Sequence, residues 1–568
     1  MRVHRRVLRA ITPEPVAVPV GIAAGLALYL SFPPHSFFPA SVLAVVLPAW
    51  VASTTRRPLR AAVWVAAGHA WVWLVWHWWV RDVSPAGLIG LVPYLSAYLG
   101  VFVGVGAWVV QRSPAGRLTK GIALAGLFST VEWLRTDVVL TGYAFYAVGD
   151  PWIDWAPTAA LGTAVGAAGV STLVALFGAL IGVLVGKGGH SRVPAGCGAA
   201  AAGFVLVAGG AIVQARPSRA GQKQAGEALT LGLIQTNVPQ SVRGGWGVQD
   251  RLDAYDQAIV LTGEAVEAGA EVVVWPETMF PGAELNDEAA AVIDAAGLGL
   301  QSEQGFLPLG VFRERLLDRQ RALGVPMVVG ARAANGLRVR DVPFAIEADA
   351  RFNSAFVIGD GFVQARYDKS RLVPFGETLP YVDGVPWLEE LVLSVGVGAA
   401  GMAFDLDAGK EPGTVGLVVP PRTEPIHVAT PICFEITEAG YLRRLVSGAD
   451  PSAALVLNLS NDGWFGSSDA GREVHLLSAR WRAVEIGRPV ARAANTGITA
   501  VIAADGTVTD RLSPGEPGVL VADVPIAAEH GNAYTAGGYW FRAWSWLAAG
   551  IGTGRCLKLR RERKVRRG

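Results

Sequence analysis

The first 214 residues alternate between long apolar stretches and short polar segments. Seven apolar stretches are evident: 15–31, 37–52, 60–80, 87–111, 119–139, 158–186 and 195–214. A helix that crosses a bilayer needs about 17–25 mostly apolar residues. The pattern therefore predicts a membrane domain, residues 1–214, with about seven transmembrane helices.

Basic residues are concentrated in alternate loops of this half. They precede the first stretch and separate stretches two and three, four and five, and six and seven: Arg2, Arg5, Arg6, Arg9, Arg56, Arg57, Arg60, Arg112, Arg117, Lys120, Lys187 and Arg192. By the positive-inside rule, the N-terminus lies in the cytoplasm, and seven crossings place everything after about residue 215 on the outer face. A weaker apolar stretch, Tyr539–Ile551, precedes the basic segment Lys558–Arg567 and predicts an eighth span and a cytoplasmic tail within residues 531–568.

Two features of the membrane domain have alternative interpretations. Five tryptophans precede the loop at Arg81: Trp71, Trp73, Trp76, Trp78 and Trp79. They are typical of an interfacial aromatic belt, although one wall of a lipid-entry groove would have the same composition. Glu132 and Arg135 are three residues apart, so they share a helical face and can pair. Ionisable groups at membrane depth are often functional, although a structural pair near the interface explains these two equally well.

After residue 214 the pattern changes to short apolar strands that alternate with helices. Residues 215–228 are small and polar, as in a linker. Strands are predicted at 229–235, 271–275, 326–331, 353–359, 362–367, 426–432, 453–459, 489–494 and 498–503, and helices at 247–268, 308–323, 437–446 and 470–486. Such alternation favours an α/β domain, residues 229–530, in which strands stack in layers against helices.

Two long inserts, 278–306 and 378–411, interrupt this alternation. The second contains Val385–Leu393 and a Gly/Ala-rich apolar run that ends at Phe404. Long inserts are often lids, and an apolar lid beside a membrane could dip into it. The alternative is a surface excursion that packs on its own domain.

Composition agrees with a membrane protein that carries a soluble part. Of 568 residues, 51% are hydrophobic and 17% charged, and the mean hydropathy is +0.36. The net charge of +2 and the apolar flanks of the basic termini argue against nucleic-acid binding. The three cysteines are far apart, and the sequence has no CxxC pattern, P-loop or dinucleotide fingerprint. The sequence therefore offers no recognisable pattern for a metal site or a nucleotide cofactor.

Three predicted strand ends carry groups that suit covalent catalysis. Glu277 follows one strand, Lys369 another, and Cys433 a third that gives way to a helix. A thiolate can attack a carbonyl carbon while a carboxylate handles the proton and a cation stabilises the oxyanion. The helix that follows Cys433 is expected to lower the pKa of its thiol. Each residue alone has a plainer explanation, a buried apolar cysteine or a solvated charge, and spacing does not show that the three converge.

Four motifs make the resemblance to a known family specific. They are Trp275-Pro276-Glu277, Tyr367-x-Lys369-x-x-Leu-Val-Pro-Phe-Gly-Glu377, Ile432-Cys433-Phe434-Glu435 and Ser460-Asn-Asp-x-Trp464-Phe465-Gly466. In this order, after a multi-span half, they resemble the apolipoprotein N-acyltransferases. The resemblance implies a multi-span α-helical membrane bundle joined to an extracytoplasmic α/β nitrilase-like domain, an αββα sandwich.

The resemblance also implies roles for the matching residues. Glu277 would be the general base, Lys369 the oxyanion-stabilising cation and Cys433 the acylated nucleophile. Glu377 and Glu435 would support them. Trp464, Phe465 and His475 would contribute to substrate binding, with the Ser-Asn-Asp segment as both a turn and a pocket rim. The alternative for His475, on the following helix, is a structural hydrogen-bonding role. Phe434 stands where the family often has tyrosine, so a role for that hydroxyl is missing.

The implied reaction has two steps and needs no cofactor. A phospholipid donates an acyl chain to Cys433, and the resulting thioester is passed to the N-terminal amine of a diacylglyceryl-cysteine lipoprotein. The implied location is the cytoplasmic (inner) membrane of a bacterium, with the catalytic domain on the outer face. One alternative is a membrane-tethered nitrilase-like amidase that uses water as acceptor. Another is a membrane scaffold, for instance a partner of a polyprenol-sugar synthase.

Overall fold

The chain folds as two compact units. The helical unit contains Met1–Ser218 and Asn532–Gly568, and the sheet unit contains Arg219–Gly531. The computed structural model describes residues 15–111, 113–186, 227–238, 248–302, 305–341, 344–379, 406–410, 413–447 and 452–526, with isolated positions elsewhere. Apart from single positions, the predicted spans at 195–214 and Tyr539–Ile551 and most of the 378–411 insert lie outside the described residues.

The helical unit is built from apolar helices with few charges. Its described α-helices, α1 to α7, are Ala17–Ser31, Ala40–Thr54, Pro58–Trp76, Val80–Val83, Pro85–Val110, Arg117–Trp133 and Ala156–Val185. By length and composition, three of these described helices (α3, α5 and α7) can cross a membrane, and α1 and α2 are shorter apolar helices. The predicted stretch at 119–139 consists of α6 and a π-helical turn, Leu134–Val138. The predicted number of spans stays a prediction.

Two of the clustered tryptophans pack inside the helical unit. Trp73 and Trp76 are buried, and the Trp76 ring stacks on Tyr146 with centroids 3.9 Å apart. Trp78 is exposed, as an aromatic belt requires. A belt therefore accounts for only part of this tryptophan cluster.

Arg135 donates hydrogen bonds to three backbone carbonyls of the loop after α6.

The sheet unit contains two six-stranded sheets and two small hairpins. Strands β1 to β16 are Ala228–Gln235, Val272–Val274, Gly299–Ser302, Gly305–Pro308, Met327–Asn335, Arg338–Asp341, Phe344–Glu347, Ala350–Gly359, Phe362–Asp368, Val415–Leu417, Ile426–Ala429, Leu455–Ser460, Val490–Ala494, Ala500–Ile502, Val508–Arg511 and Gly518–Pro525. The sheet orders are β16-β1-β2-β5-β8-β9 and β10-β11-β12-β13-β14-β15. Helices α8 to α12 are Val248–Glu267, Asp287–Ala295, Gly310–Leu323, Ala439–Ser447 and Asp469–Ile486.

The two sheets pack face to face between layers of helices. Val272 and Val274 of β2 share one core with Leu457 of the second sheet, whereas Val273 points the other way, into a core with Phe312 of α10. Successive strand residues face opposite sides, so a strand covered on both sides is apolar throughout. The predicted α/β fold of this half, an αββα sandwich, is confirmed.

Several elements differ from the prediction. β16 pairs with β1 in antiparallel register from Ala228–Pro525 to Gln235–Gly518, and the sequence pattern did not predict it. The insert at 278–306 forms α9 and a hairpin of β3 and β4. The strand predicted at 426–432 ends at Ala429, and only an isolated bridge joins Ile432 to Leu459.

Candidate active site

Glu277 lies just beyond the end of β2, the short parallel strand between β1 and β5. Trp275 and Pro276 carry the chain from the strand into the site, and Glu277 is only 5% exposed. Gly330 of β5 lies directly against this segment. A Cβ at Gly330 would stand 2.2 Å from the Pro276 carbonyl oxygen. The position of Glu277 is therefore set by close backbone packing as well as by its own contacts.

Lys369 follows β9 and is completely buried. Its ammonium donates to Oε1 of Glu377 at 2.8 Å and to Oε1 of Glu277 at 3.4 Å. The other oxygen of Glu377 accepts the backbone N–H of Val373 at 2.8 Å. Two predicted carboxylates thus converge on one predicted cation, and Glu377 is fixed at both of its oxygens.

A fourth polar side chain, Asn353 of β8, joins this group. Its amide nitrogen donates to Oε1 of Glu277 at 2.7 Å and lies 3.5 Å from Oε1 of Glu377. Its backbone carbonyl accepts the N–H of Lys369 at 2.8 Å. Asn353 was not predicted as a site residue, because it lies in the polar first half of β8, beside Arg351 and Ser354, and belongs to none of the recognised motifs.

Cys433 begins a five-residue 3₁₀ turn, Cys433–Thr437, that follows β11. Its φ is +51°, in the left-handed region that is unusual for a residue with a side chain. Such a conformation persists only where the surroundings over-determine it. The side-chain amide of Asn458 donates to the Pro431 carbonyl at 2.9 Å and so holds the chain just before the turn.

Glu435 ties this turn to the segment after Lys369. One of its oxygens accepts the Ile432 N–H at 2.8 Å and the Tyr367 hydroxyl at 2.8 Å. The other accepts the backbone N–H groups of Ser370 and Arg371 at 2.7 and 3.0 Å. Glu435 is fully buried. It therefore fixes the nucleophile turn and the lysine loop to each other through four hydrogen bonds.

Burial and the charges of neighbouring groups together set the pKa values of the three central groups. It raises the pKa of the Cys433 thiol, and the nearby Glu277 charge raises it further against the opposing effect of Lys369. Burial also raises the pKa of Glu277, although Lys369, Asn353 and Cys433 oppose this. For Lys369, burial alone would lower the pKa, but the Glu377 and Glu277 charges raise it above its usual range.

The expectation of a lowered thiol pKa is therefore wrong. The turn after Cys433 is a short 3₁₀ segment, and the thiol is buried beside a carboxylate, which disfavours a second negative charge. Cys433 is protonated at neutral pH, so it needs a base when it reacts. The carboxylate of Glu277 interacts with this thiol.

A second buried ionic cluster lies behind the Cys433 turn. Nδ1 of His475 is 2.9 Å from Oδ1 of Asp462, and Nε2 is 3.4 Å from the Cys433 carbonyl oxygen. Arg492 donates to both oxygens of Asp462 at 2.7 Å. Burial alone would raise the pKa of Asp462, but Arg492 and His475 lower it below its usual range. Asp462 and Arg492 were not predicted as site residues, although Asp462 lies within the Ser460–Gly466 motif.

The predicted rim residues are less enclosed. Trp464 and Phe465 are half-buried on the 3₁₀ turn Asp462–Phe465, and the Phe465 ring lies 6.0 Å from that of His475. His475 itself is 2% exposed. Within the described residues, no group of three or more His, Cys, Asp or Glu side chains is placed to hold a metal ion.

Comparisons with known sequences cover both halves of the chain. The sequence model for carbon-nitrogen hydrolases matches residues 211–529, and the model for the apolipoprotein N-acyltransferase N-terminal domain matches residues 24–180. An apolipoprotein N-acyltransferase from Bradyrhizobium diazoefficiens is 30% identical over 533 residues, which are 89% of this chain and 89% of that protein. The chain belongs to the apolipoprotein N-acyltransferase family.

A second relative is consistent with this membership. An apolipoprotein N-acyltransferase from Ralstonia nicotianae is 30% identical over 89% of this chain and 87% of its own length. A solved amidase from Nesterenkonia sp. is 19% identical over 57% of this chain and 99% of that chain, with a TM-score of 0.36. Glu277, Lys369 and Cys433 all lie in the segment that matches the carbon-nitrogen hydrolase model. In this apolipoprotein N-acyltransferase family member, the candidate active site therefore belongs to the sheet unit.

Proposed function

We propose that this protein transfers an acyl chain from a phospholipid to the N-terminal amine of a diacylglyceryl-cysteine lipoprotein. One observation carries the proposal: a buried thiol, a carboxylate and an ammonium converge in a member of the apolipoprotein N-acyltransferase family. The first two relatives described above bear the name of that activity.

In the first half-reaction, Cys433 acts as the nucleophile and Glu277 as the base. The Cys433 sulfur attacks the ester carbonyl carbon of the phospholipid while Glu277 takes the thiol proton. Lys369 stabilises the oxyanion, and one such donor is worth about 2.7–4 kcal/mol in the transition state. The ester C–O bond then breaks, Glu277 returns the proton to the leaving alkoxide, and a lysophospholipid departs. The acyl chain remains as a thioester on Cys433.

In the second half-reaction, the acyl chain passes from the Cys433 thioester to the lipoprotein amine. The amine nitrogen attacks the thioester carbonyl, and Glu277 accepts a proton from that nitrogen. The C–S bond breaks, the proton passes to the departing thiolate, and Cys433 is regenerated. Lys369 again stabilises the oxyanion. Throughout, Glu377 keeps Lys369 in place, and Glu435 positions the turn that carries Cys433.

The proposed location is the cytoplasmic membrane of a bacterium. The proposed domains are a membrane domain (1–214), a linker (215–228), a catalytic domain on the outer face (229–530) and a C-terminal span with a cytoplasmic tail (531–568). The charges of alternate loops support this orientation. Trp464 and Phe465, half-buried beside His475, are proposed to line the substrate pocket.

Product analysis tests the proposal directly. The purified protein is incubated in detergent with a phospholipid and a synthetic diacylglyceryl-cysteine peptide, and both products are quantified by mass spectrometry. We expect N-acyl peptide and lysophospholipid in equal amounts, and neither with a Cys433→Ser variant. Free fatty acid in place of N-acyl peptide would identify water as the acceptor and would contradict the proposal.

A further inference from the structure

Asn353 occupies an unusual place for an amide side chain. It lies on β8 inside the first sheet and is only 3% exposed. Its nitrogen faces two carboxylate oxygens, Oε1 of Glu277 at 2.7 Å and Oε1 of Glu377 at 3.5 Å. Those acceptors require the NH₂ end, since the carbonyl end would face like partial charges. As a result, Oδ1 of Asn353 is buried with no hydrogen-bond partner among the described residues.

The contacts of Glu277 are divided unequally between its two oxygens. Oε1 accepts from Asn353 and from Lys369. Oε2 is buried and has no hydrogen-bond partner among the described residues. A buried carboxylate oxygen without a donor is costly, so such an oxygen in a site needs an explanation.

We infer that Asn353 is a positioning residue that selects which oxygen of Glu277 accepts the thiol proton. By holding Oε1 together with Lys369, it leaves Oε2 as the acceptor for the proton of Cys433. This inference rests on the proposed function, because it assigns Glu277 the role of base. It adds a residue to the proposed mechanism and specifies the atom through which the base acts.

The last side-chain torsion of a glutamate rotates easily. The hydrogen bond from the Asn353 amide therefore matters for the orientation of the Glu277 carboxylate. The last torsion of Glu has no sharp staggered minima, so a carboxylate held by one donor can turn and exchange its oxygens. Two donors on Oε1, Asn353 on β8 and Lys369 just after β9, fix the plane of the group. Because proton transfer needs an acceptor within hydrogen-bond reach, a carboxylate that turns loses productive contact with the Cys433 thiol.

Asn353 also acts on the charge state of the base. Its hydrogen bond favours the ionised carboxylate and is one of the effects that lower the pKa of Glu277 against burial. Removal of the amide therefore raises the pKa of Glu277 further. In contrast, the backbone carbonyl of Asn353 holds Lys369, so a side-chain substitution leaves that contact in place.

The test uses the alkylation of Cys433 by iodoacetamide in the full-length, detergent-solubilised protein. The alkylation rate is measured against pH for the wild type, Asn353→Ala and Asn353→Asp. The matched control is Ser354→Ala, which removes a buried hydrogen bond, Ser354 Oγ to Asp368 at 2.6 Å, from the next residue of β8. Thermal unfolding is followed for all four proteins.

We expect Asn353→Ala to lower the alkylation rate at neutral pH about tenfold or more, a part of the roughly 10²–10⁴-fold that a positioned base supplies. Its profile should also move to higher pH. Asn353→Asp keeps the size of the side chain but replaces the donor with a third carboxylate, so its rate should fall at least as far. Ser354→Ala should keep the wild-type profile even if its unfolding temperature drops.

A role in packing alone would give the opposite ranking, with Asn353→Asp close to the wild type and Asn353→Ala the slower variant. That ranking, or an unshifted profile in both Asn353 variants, would overturn the inference. A failure of the proposed function would be distinguishable from a failure of this inference. If the alkylation profiles shift as expected while no acyl product forms, Asn353 positions the base of a site with another substrate.

Discussion

Two carboxylates share one ammonium in this site. Lys369 is completely buried, and both Glu277 and Glu377 bond to it. A buried charge is tolerated only with partners, so the two carboxylates and the ammonium depend on one another for their stability. The cation is therefore a structural counter-ion, and the proposed function gives it a second role as the donor to the oxyanion.

Replacement of Lys369 by methionine should expose this double role. Lys369→Met leaves two buried carboxylates unpaired, which destabilises the protein by about 3–5 kcal/mol. It also removes an oxyanion donor worth about 10²–10³ in rate. The double variant Lys369→Met/Glu377→Gln should recover part of the unfolding temperature and none of the acyl transfer. Recovery of activity in the double variant would show that Lys369 is only a counter-ion.

The pKa of Glu277 sets the acid limit of the reaction. Burial raises this pKa above the usual carboxyl value of about 4.3, and a protonated carboxyl cannot accept the thiol proton. The rate of acyl-enzyme formation should thus fall as the pH drops through a value above about 4.3. Protonation of Asp462 does not account for this loss of rate at low pH, because Arg492 holds the pKa of Asp462 below its usual range. Single-turnover rates as a function of pH test this, and full activity down to pH values near 4 would contradict it.

At the residue scale, the sequence revealed the groups that stand at strand ends. Glu277, Lys369 and Cys433 each follow a short apolar run, and the structure brings the first two into contact. Asn353 lies within a strand and has no motif of its own. The thiol pKa was predicted with the wrong sign because burial and the nearness of Glu277 depend on tertiary packing.

At the scale of elements, the position of Glu277 depends on the neighbouring strand, β5. A Cβ on Gly330 of β5 would lie 2.2 Å from the Pro276 carbonyl oxygen and 2.8 Å from Cα of Glu277. Gly330→Ala should push the base away from the nucleophile, and a displacement of about 1 Å can cost roughly 10²-fold in rate. Acyl-transfer rates of the purified variant check this.

Gly416→Ala is the matched control for this strand glycine. Gly416 lies on β10, and the nearest atom to its added Cβ would be Pro425 Cβ at 3.2 Å. We expect acyl-transfer rates close to the wild type for this control. Equal losses in the two variants would show that any strand alanine disturbs the fold, and would remove the special role assigned to Gly330.

The same scale explains which elements were predictable. β2 is buried on both faces and is a continuous apolar run, and β12 is buried throughout and polar only at Asn458 and Ser460, so the positions of both strands were predicted closely. β6 and β15 are short and mostly polar, and β7 is only four residues long, so these strands gave no clear signal. β16 was missed because its partner, β1, lies almost three hundred residues earlier in the chain.

At the scale of the whole molecule, the orientation in the membrane is open to a labelling test. In a background without Cys197, Cys433 and Cys556, single cysteines are introduced as Arg57→Cys, Asp82→Cys and Glu227→Cys, and intact cells are treated with a membrane-impermeant maleimide. The loop charges predict labelling at positions 82 and 227 only. Position 57 should react only after the cells are permeabilised. Labelling at 57 in intact cells would reverse the predicted orientation.

The central claim is that Cys433 carries the acyl chain as a thioester. The most direct measurement is the intact mass of the detergent-solubilised protein after incubation with phospholipid alone, beside a Cys433→Ser variant. We predict a gain of one acyl chain that hydroxylamine removes, in the wild type and not in the variant. A folded wild-type protein that gains no acyl mass, or a gain that persists in the variant, would contradict this account.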